Sequence, residues 1–354
     1  MSTQCLHCGA WSREIAAVLS HCGKCIKEGK ETVIKYLHDV HRNIDRQRKL
    51  LGPAEQGKGY PSCRICSRGC SPAPGERGFC RLRENRDGRL LHLAGTPSRG
   101  LLQHYYDPLP TNCVADWVCP ARGQYYWGKN LAVFYGACTL NCLFCQNWQY
   151  RVLTEELQPL YSAQELAARV DDSTACICFF GGDPAPQAPH ALNTARKALK
   201  LNPRLKICWE TSGLMTAVFL EKMLALSLQS GGTVKFDIKA YNENLYFALT
   251  GWNNGQLFAN FARCAEVSSQ NNSTLAVAST LLVPGYIDAD EVYSIASFIA
   301  SIDPQTPYSL LGFYPHFYMK DLPKTRRKTA RECYSAAREA GLKRVRLANE
   351  HLLI

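Results

Sequence analysis

The stretch LAVFYGACTLNCLFCQN, residues 131–147, joins five apolar residues of strand character to a loop that carries Cys138, Cys142 and Cys145 within eight positions. An apolar run of strand length that ends in a glycine-bearing, ligand-rich loop is what a sheet with helical crossovers places at the end of a strand. The same beat repeats downstream. The runs ACICFF (175–180), LKICWE (205–210), TVKFDIK (233–239), STLAVASTLLV (273–283) and YSLLGFY (308–314) alternate with helical stretches near 163–171, 188–200, 214–228, 256–270, 288–301 and 326–340. Six βα units with apolar strands specify an α/β fold: a partial (β/α)6 TIM-like barrel of parallel strands with a small Cys-rich N-terminal extension.

In such a fold the loops after the strands carry the chemistry. Here they hold the cysteine triplet after the first strand, Gly181-Gly182-Asp183-Pro184 after the second, and Glu210-Thr211-Ser212-Gly213 after the third. Asp237 and Lys239 close the fourth. Each has a plainer reading. A Gly-Gly pair is a turn, Thr211 and Ser212 suit the cap of the next helix, and Asp-x-Lys is a surface ion pair. Their succession at one end of parallel strands groups them into one site. His316, Tyr314 and Tyr318 follow the sixth strand, where rim packing is weighed against substrate contact.

Upstream the chain divides differently. Residues 1–60 contain two Cys-x2-Cys knuckles, Cys5/Cys8 and Cys22/Cys25, then one expected helix over 27–51 with Val33, Ile34, Leu37, Val40, Ile44 and Leu51 near a 3.6 period, then a polar linker at 54–60. Residues 61–130 hold Cys63, Cys66, Cys70 and Cys80, an NRDG turn between short strand-like runs, and a Pro/Gly/Tyr-rich tract with Cys113 and Cys119. Residues 131–354 form the barrel.

The chain has 354 residues, a formal charge of +11 and eighteen cysteines. Its first residues lack the basic and apolar regions of a secretory signal, and no window of about 18 apolar residues is present. A cytoplasmic location follows as the expectation, with no membrane partner. In a reducing compartment clustered cysteines are metal or cluster ligands rather than disulfides. Cys5, Cys8, Cys22 and Cys25 suit a small zinc ribbon. Cys63, Cys66, Cys70 and Cys80 suit zinc or an iron–sulfur cluster equally. Cys113 and Cys119 are extra ligands or free core thiols, and Cys176, Cys178, Cys208, Cys264 and Cys333 read as small buried hydrophobes. Basic side chains are dense in 24–49 and 320–346, but on helices, where charge marks a solvated face. A nucleic-acid partner is therefore not expected.

Three thiolates on a short loop hold three irons of a [4Fe–4S] cube and leave the fourth open to a small chelating ligand. The amino and carboxylate groups of S-adenosylmethionine suit that vacancy. A zinc knuckle on Cys142 and Cys145 is the rival.

The Cys-x3-Cys-x2-Cys spacing with Phe144 before the last cysteine resembles the signature of the radical S-adenosylmethionine superfamily. FFGGDP resembles its Gly-Gly-Glu-Pro motif with a shorter acid, and CWETSG resembles its ribose-side segment. FDIKAYNENLYFALTG looks like the Asp-x-Lys segment of the pyruvate formate-lyase activating-enzyme branch. With TLLVPGYID, YPHFYMKDLPKT and AGLKRVRLANEH, the similarity spans about 61–354 and points to the subgroup that includes the radical enzyme of the AmmeMemoRadiSam system. CRICSRGCSPAPGERGFCRLRENRDG is similar to that subgroup's N-terminal segment, whereas Cys113 and Cys119 depart from its common pattern.

The resemblance implies an oxidoreductase in which Cys138, Cys142 and Cys145 hold the catalytic cluster. Phe144, Gly181, Gly182, Asp183, Thr211, Ser212, Asp237 and Lys239 would contact the cofactor. It further implies a flavodoxin- or ferredoxin-like electron donor, and a substrate that is a protein of glycyl-radical type or a small molecule. The alternative is a zinc-rich, RNA-associated binding module whose barrel is inert.

Overall fold

The computed structural model describes residues 2–50, 59–109, 113–119 and 128–354. Seven parallel strands form its centre: β1 (Lys129–Tyr135), β2 (Thr174–Gly181), β3 (Lys206–Thr211), β4 (Val234–Asp237), β5 (Ala276–Leu282), β6 (Tyr308–Gly312) and β7 (Val345–Ala348). They neighbour one another in chain order, each joined to the next by a segment that includes at least one helix. The six expected strands are all present. The seventh was not anticipated because "RVRLA" carries two arginines and reads as surface, yet it pairs with β6 from Tyr308↔Val345 to Leu311↔Ala348. At the other edge Gly100–Pro108 runs antiparallel to β1, and Leu160–Tyr161 adds to that strand, giving a nine-stranded sheet.

Alternation along the strands separates two environments. One set of side chains, including Phe179, Trp209, Val234 and Phe236, packs under the helices and is fully buried; Phe179 and Trp209 stack with ring centroids 4.6 Å apart. The Trp209 indole N–H reaches the Ser227 hydroxyl at 2.8 Å, so its one polar atom is satisfied. Burial of aromatic side chains of this size contributes about 2–3 kcal/mol each. The alternate set, Cys178, Cys208, Glu210, Lys235, Asp237, Ser279 and Ser309, points into the lumen.

The N-terminal extension packs into the barrel's own core. Ala16, Leu19, Ile26, Val33, Leu37 and Ile44 belong to the same buried cluster as the strand residues. The expected single helix over 27–51 is instead two, Gly23–Glu28 and Glu31–Gln47. Gly29 divides them: at φ 69° it caps the first, its N–H reaching the Ile26 carbonyl at 3.1 Å. The expected apolar face is otherwise correct, with Val33, Leu37 and Ile44 buried. Leu51 and residues 54–58 of the expected linker lie outside the described residues. The NRDG turn joins the hairpin Arg83–Arg86 and Arg89–His92, with Asp87 and Gly88 both at positive φ. Among the described residues no helix is long and apolar enough to cross a membrane.

Candidate active site and metal centres

The cysteine loop leaves β1 and is pinned by backbone. Asn141 and Leu143 donate to the carbonyls of Thr250 and Leu249 at 3.0 Å each, which are orphan acceptors at the end of the helix Glu243–Thr250. The loop's own Leu143 carbonyl accepts from Tyr318 N–H at 3.0 Å. The Asn141 amide donates to Asp45 at 2.7 Å and its carbonyl accepts from Arg151, so the helix Glu31–Gln47 also holds the loop. Leu140 N–H points at the Cys138 sulfur, 3.3 Å away. Burial pushes all three thiols up, Cys142 to about 12, while Lys239 and Arg151 pull Cys142 and Cys145 the other way. Buried thiols beside fixed cations are ready to ionise only against a metal that replaces the proton.

Gly182 shows why the next loop must be Gly-Gly. A Cβ there would lie 2.2 Å from the Ala137 carbonyl, and Gly181 sits at φ +106° against the backbone of Tyr135. The Asp183 amide then donates to Ala137 at 2.7 Å and Asn147 donates to the Gly181 carbonyl at 3.2 Å. The two loops are thereby fastened together.

The Asp183 carboxylate is buried and accepts four hydrogen bonds: from Ala185 N–H and Ser212 N–H at 2.7 Å, from the Thr211 hydroxyl at 3.0 Å, and from the Ser212 hydroxyl. Burial outweighs these bonds and holds its pKa above the usual carboxylate range. Thr211 and Ser212 therefore do not cap the following helix, which begins at Ala217 after Thr216. They tie β3 to β2.

Asp237 pairs with Lys239 through one oxygen. Its Oδ1 is occluded and takes no hydrogen bond. The Lys239 ammonium lies 5.7 Å from the centre of the Phe144 ring. Burial works against the lysine's charge, but Asp237 and the neighbouring thiols prevail and raise its pKa.

All these residues line one cavity of about 220 Å³ at the C-terminal ends of the strands: the three cysteines, Phe144, Gly181 to Asp183, Thr211, Ser212, Asp237 and Lys239. An occluded carboxylate oxygen without a donor, a lysine beside it, and three thiols on a rigid loop fit an iron–sulfur cluster with an aminocarboxylate ligand. His316, Tyr314 and Tyr318 do not line it. His316 accepts from the Trp148 indole at 3.1 Å, Tyr318 accepts from Arg48 at 3.0 Å, and Tyr314 is exposed.

Residues 113–119 pack against the lumen beside this cavity, with Val114 lining it. The Lys235 ammonium, buried in the lumen, pairs with Glu210 and reaches the sulfurs of Cys113 and Cys178 at 3.3 and 3.4 Å. Trp117 donates to Ser309 at 3.2 Å, and Asp116 pairs with Arg346 of β7. Cys113 thus lies against the barrel's polar lumen. Cys264 and Cys333 are core hydrophobes as expected, and Cys178 and Cys208 are buried too, but these two and Cys176 face this lumen, where the Cys176 thiol donates to the Asn130 side-chain amide oxygen at 3.3 Å. Lys235 was missed in the sequence. Its strand reads Val-Lys-Phe-Asp, whose period-2 alternation was the available signal.

Two further cysteine sets differ in spacing. The sulfurs of Cys5, Cys8, Cys22 and Cys25 all lie within 4.8 Å of one another, around the hairpin Thr3–Gln4 and Trp11–Ser12. Cys63, Cys66, Cys70 and Cys80 also converge, each of the last three sensing its neighbours' charge. Among the described residues, however, only the first set closes to within 4.8 Å.

An uncharacterized protein of Methanocaldococcus jannaschii is 26% identical over 310 residues, 81% of this chain and 80% of its own length. A second protein of that organism, named provisionally as a glycyl-radical enzyme activating enzyme, is 26% identical over 137 residues, 39% of this chain and 49% of its own length. Among solved structures, a domain of the pyruvate-formate lyase-activating enzyme from Bacteroides vulgatus superposes with TM-score 0.39 at 15% identity, covering 49% of this chain and 98% of that domain. Streptococcus suis SuiB bound to S-adenosylmethionine gives TM-score 0.43 at 14% identity, covering 61% of this chain and 49% of SuiB. Residues 132–299, most of the barrel, match the radical SAM superfamily model.

Proposed function

We propose that this protein is an oxidoreductase that uses a [4Fe–4S] cluster on Cys138, Cys142 and Cys145 together with S-adenosylmethionine. When bound, that pair supplies reductive cleavage of the sulfonium and a 5′-deoxyadenosyl radical able to take hydrogen from a substrate. The observation that carries the reading is the convergence of the three thiols, Gly181-Gly182 and the Asp237–Lys239 pair on one cavity.

This chain's residues bind, orient and exclude water. Asp237 Oδ1, without a donor of its own, accepts from an ammonium, and Lys239 balances a carboxylate. The glycines let ligand and backbone approach closely. Asp183 acts through Thr211 and Ser212, holding the ribose-side segment in place rather than offering a free oxygen. Residues 113–119, held across the lumen by Trp117 and Asp116, help keep bulk water from the site.

The substrate is a protein of glycyl-radical type or a small molecule. The name of the second archaeal relative supports the former. A flavodoxin- or ferredoxin-like donor in the cytoplasm would supply the electron. Cys5, Cys8, Cys22 and Cys25 hold zinc, because tetrahedral bonds of about 2.3 Å set sulfurs roughly 3.8 Å apart, within the spacing observed. Cys63, Cys66, Cys70 and Cys80 hold a second metal centre.

Anaerobically reconstituted protein should be brown and, on reduction with dithionite, convert S-adenosylmethionine to 5′-deoxyadenosine. A colourless protein containing only zinc, or 5′-deoxyadenosine still formed by Cys142→Ala, refutes the reading. The former result favours the RNA-associated zinc module instead.

A further inference from the structure

We infer that Cys63, Cys66, Cys70 and Cys80 carry an auxiliary [4Fe–4S] cluster, set directly beside the cysteine triplet so that electrons pass between the two centres. This rests on the reading of the triplet as a cluster site.

Spacing is the first observation. Zinc in a tetrahedron draws four sulfurs to roughly 3.8 Å of one another, whereas a cube of four irons and four sulfides keeps its cysteines further apart. The N-terminal knuckle has the compact arrangement. The set at 63–80 does not, and neither does the triplet at 138–145.

Position is the second. Cys80 and Cys138 line the same small crevice, with Phe79, Tyr150 and Arg151. The segment bearing Cys66 is fixed against the loop after β3: Cys66 bridges to Met215, and Ser67 N–H donates to Leu214 at 2.9 Å. This carries the four cysteines to the end of the barrel where the triplet lies.

Between them is a cation built into the interior. The buried Arg68 guanidinium donates to the Thr139 carbonyl at 2.8 Å, next to Cys138 in the chain, and lies 3.3 Å from the centre of the Phe79 ring, next to Cys80. Burial works against its charge, which Asp45 supports first and then Cys70, Cys66 and Cys138. A lone zinc on four thiolates has net charge −2 and would draw such a cation too, but nothing about zinc calls for the open spacing or for adjacency to a redox centre. Phe79 N–H also points at the Cys70 sulfur, 3.4 Å away, the kind of bond that tunes cluster potentials.

One electron from a low-potential flavin or iron–sulfur donor would reduce the auxiliary cluster and then move on to the triplet's cluster. No bond is made or broken and no proton moves.

Iron, sulfide and zinc are counted in anaerobically purified wild type and in the triple variant Cys138→Ala/Cys142→Ala/Cys145→Ala. The inference requires about eight irons in the wild type, about four in the variant, and about one zinc in each. Fully reduced wild type should also show electron paramagnetic resonance signals broadened by magnetic coupling between two neighbouring clusters. That broadening should vanish in the triple variant and in Cys63→Ala/Cys66→Ala. About four irons in the wild type, none in the triple variant and two zincs overturns the inference while leaving the triplet reading intact. About four irons in both proteins sinks the triplet reading and leaves the auxiliary cluster. Two clusters without magnetic coupling would refute the adjacency.

Discussion

Asp183, at the end of β2, takes both the amide and the hydroxyl of Ser212, at the end of β3, so a single carboxylate sets the spacing of two site-bearing loops. Asp183→Asn replaces an acceptor by a donor facing N–H and O–H groups, and is expected to cost about 1–3 kcal/mol by leaving buried donors unpaired. Asp183→Glu, although it restores the acid of the superfamily's motif, moves the carboxylate off the donors of Ala185, Thr211 and Ser212 and should also destabilise by about 1–3 kcal/mol. Thermal unfolding checks both. A rise in melting temperature with Glu would contradict this arrangement.

Gly182→Ala should separate the cysteine loop from β2. The added carbon meets a backbone carbonyl that has no rotamer by which to move away. Overpacking on the order of 3 kcal/mol or more is expected, with iron content falling alongside stability. Gly69→Ala is the contrast: its Cβ would meet nothing within 4 Å, and its cost should come only from its φ of +54°.

Asp237→Asn and Lys239→Met should leave iron content unchanged, because neither is a cluster ligand, while weakening S-adenosylmethionine binding at least tenfold, about 1.4 kcal/mol each. Equilibrium dialysis on the reconstituted protein measures this. Loss of iron together with binding would show that the pair supports the loop rather than the ligand.

Acid should destabilise the fold through two buried histidines. Burial holds His41 and His190 at about 4, against 6.5 in the unfolded chain. Their folded-state pKa is depressed, so the unfolded chain binds more protons between those values. Stability is therefore full above about pH 6.5 and declines as pH falls toward 4, by up to about 3 kcal/mol for each histidine. The neutral His41 ring donates its Nε2–H to the Ala248 carbonyl, 2.9 Å away. His41→Gln keeps an N–H donor without a titration, so its melting temperature should fall less steeply between pH 7 and 5 than that of the wild type.

Removing the zinc proposed for the N-terminal knuckle should loosen more than the knuckle. Tyr286 accepts from Ala16 N–H at 2.9 Å and donates to the His21 carbonyl at 3.1 Å, fastening it to the barrel. A chelator that strips this metal should lower the melting temperature, and hydrogen exchange should quicken at Ala16 and Ile26.

The barrel was legible because its strands are apolar on the helix-facing side and its loops carry residues with no packing reason to coincide: three cysteines, two glycines, an Asp and a Lys. What escaped reading was the lumen. Cys178 and Cys208 look like core residues in "ACICFF" and "LKICWE", and only the observed register, which sets them beside Lys235, shows that they face polar groups. The divided N-terminal helix escaped for another reason. Gly29 interrupts a run whose apolar period continues beyond it, and periodicity alone does not register a single left-handed residue. The partners of Asp183 escaped as well, because nothing local shows that Ser212, twenty-nine positions later, donates to its carboxylate.

The segment 113–119 has a further consequence. With Trp117, Asp116 and Cys113 bonded to three different strands, this short piece of chain acts as a cross-brace, so that a shift of any one of those strands is handed on to the other two.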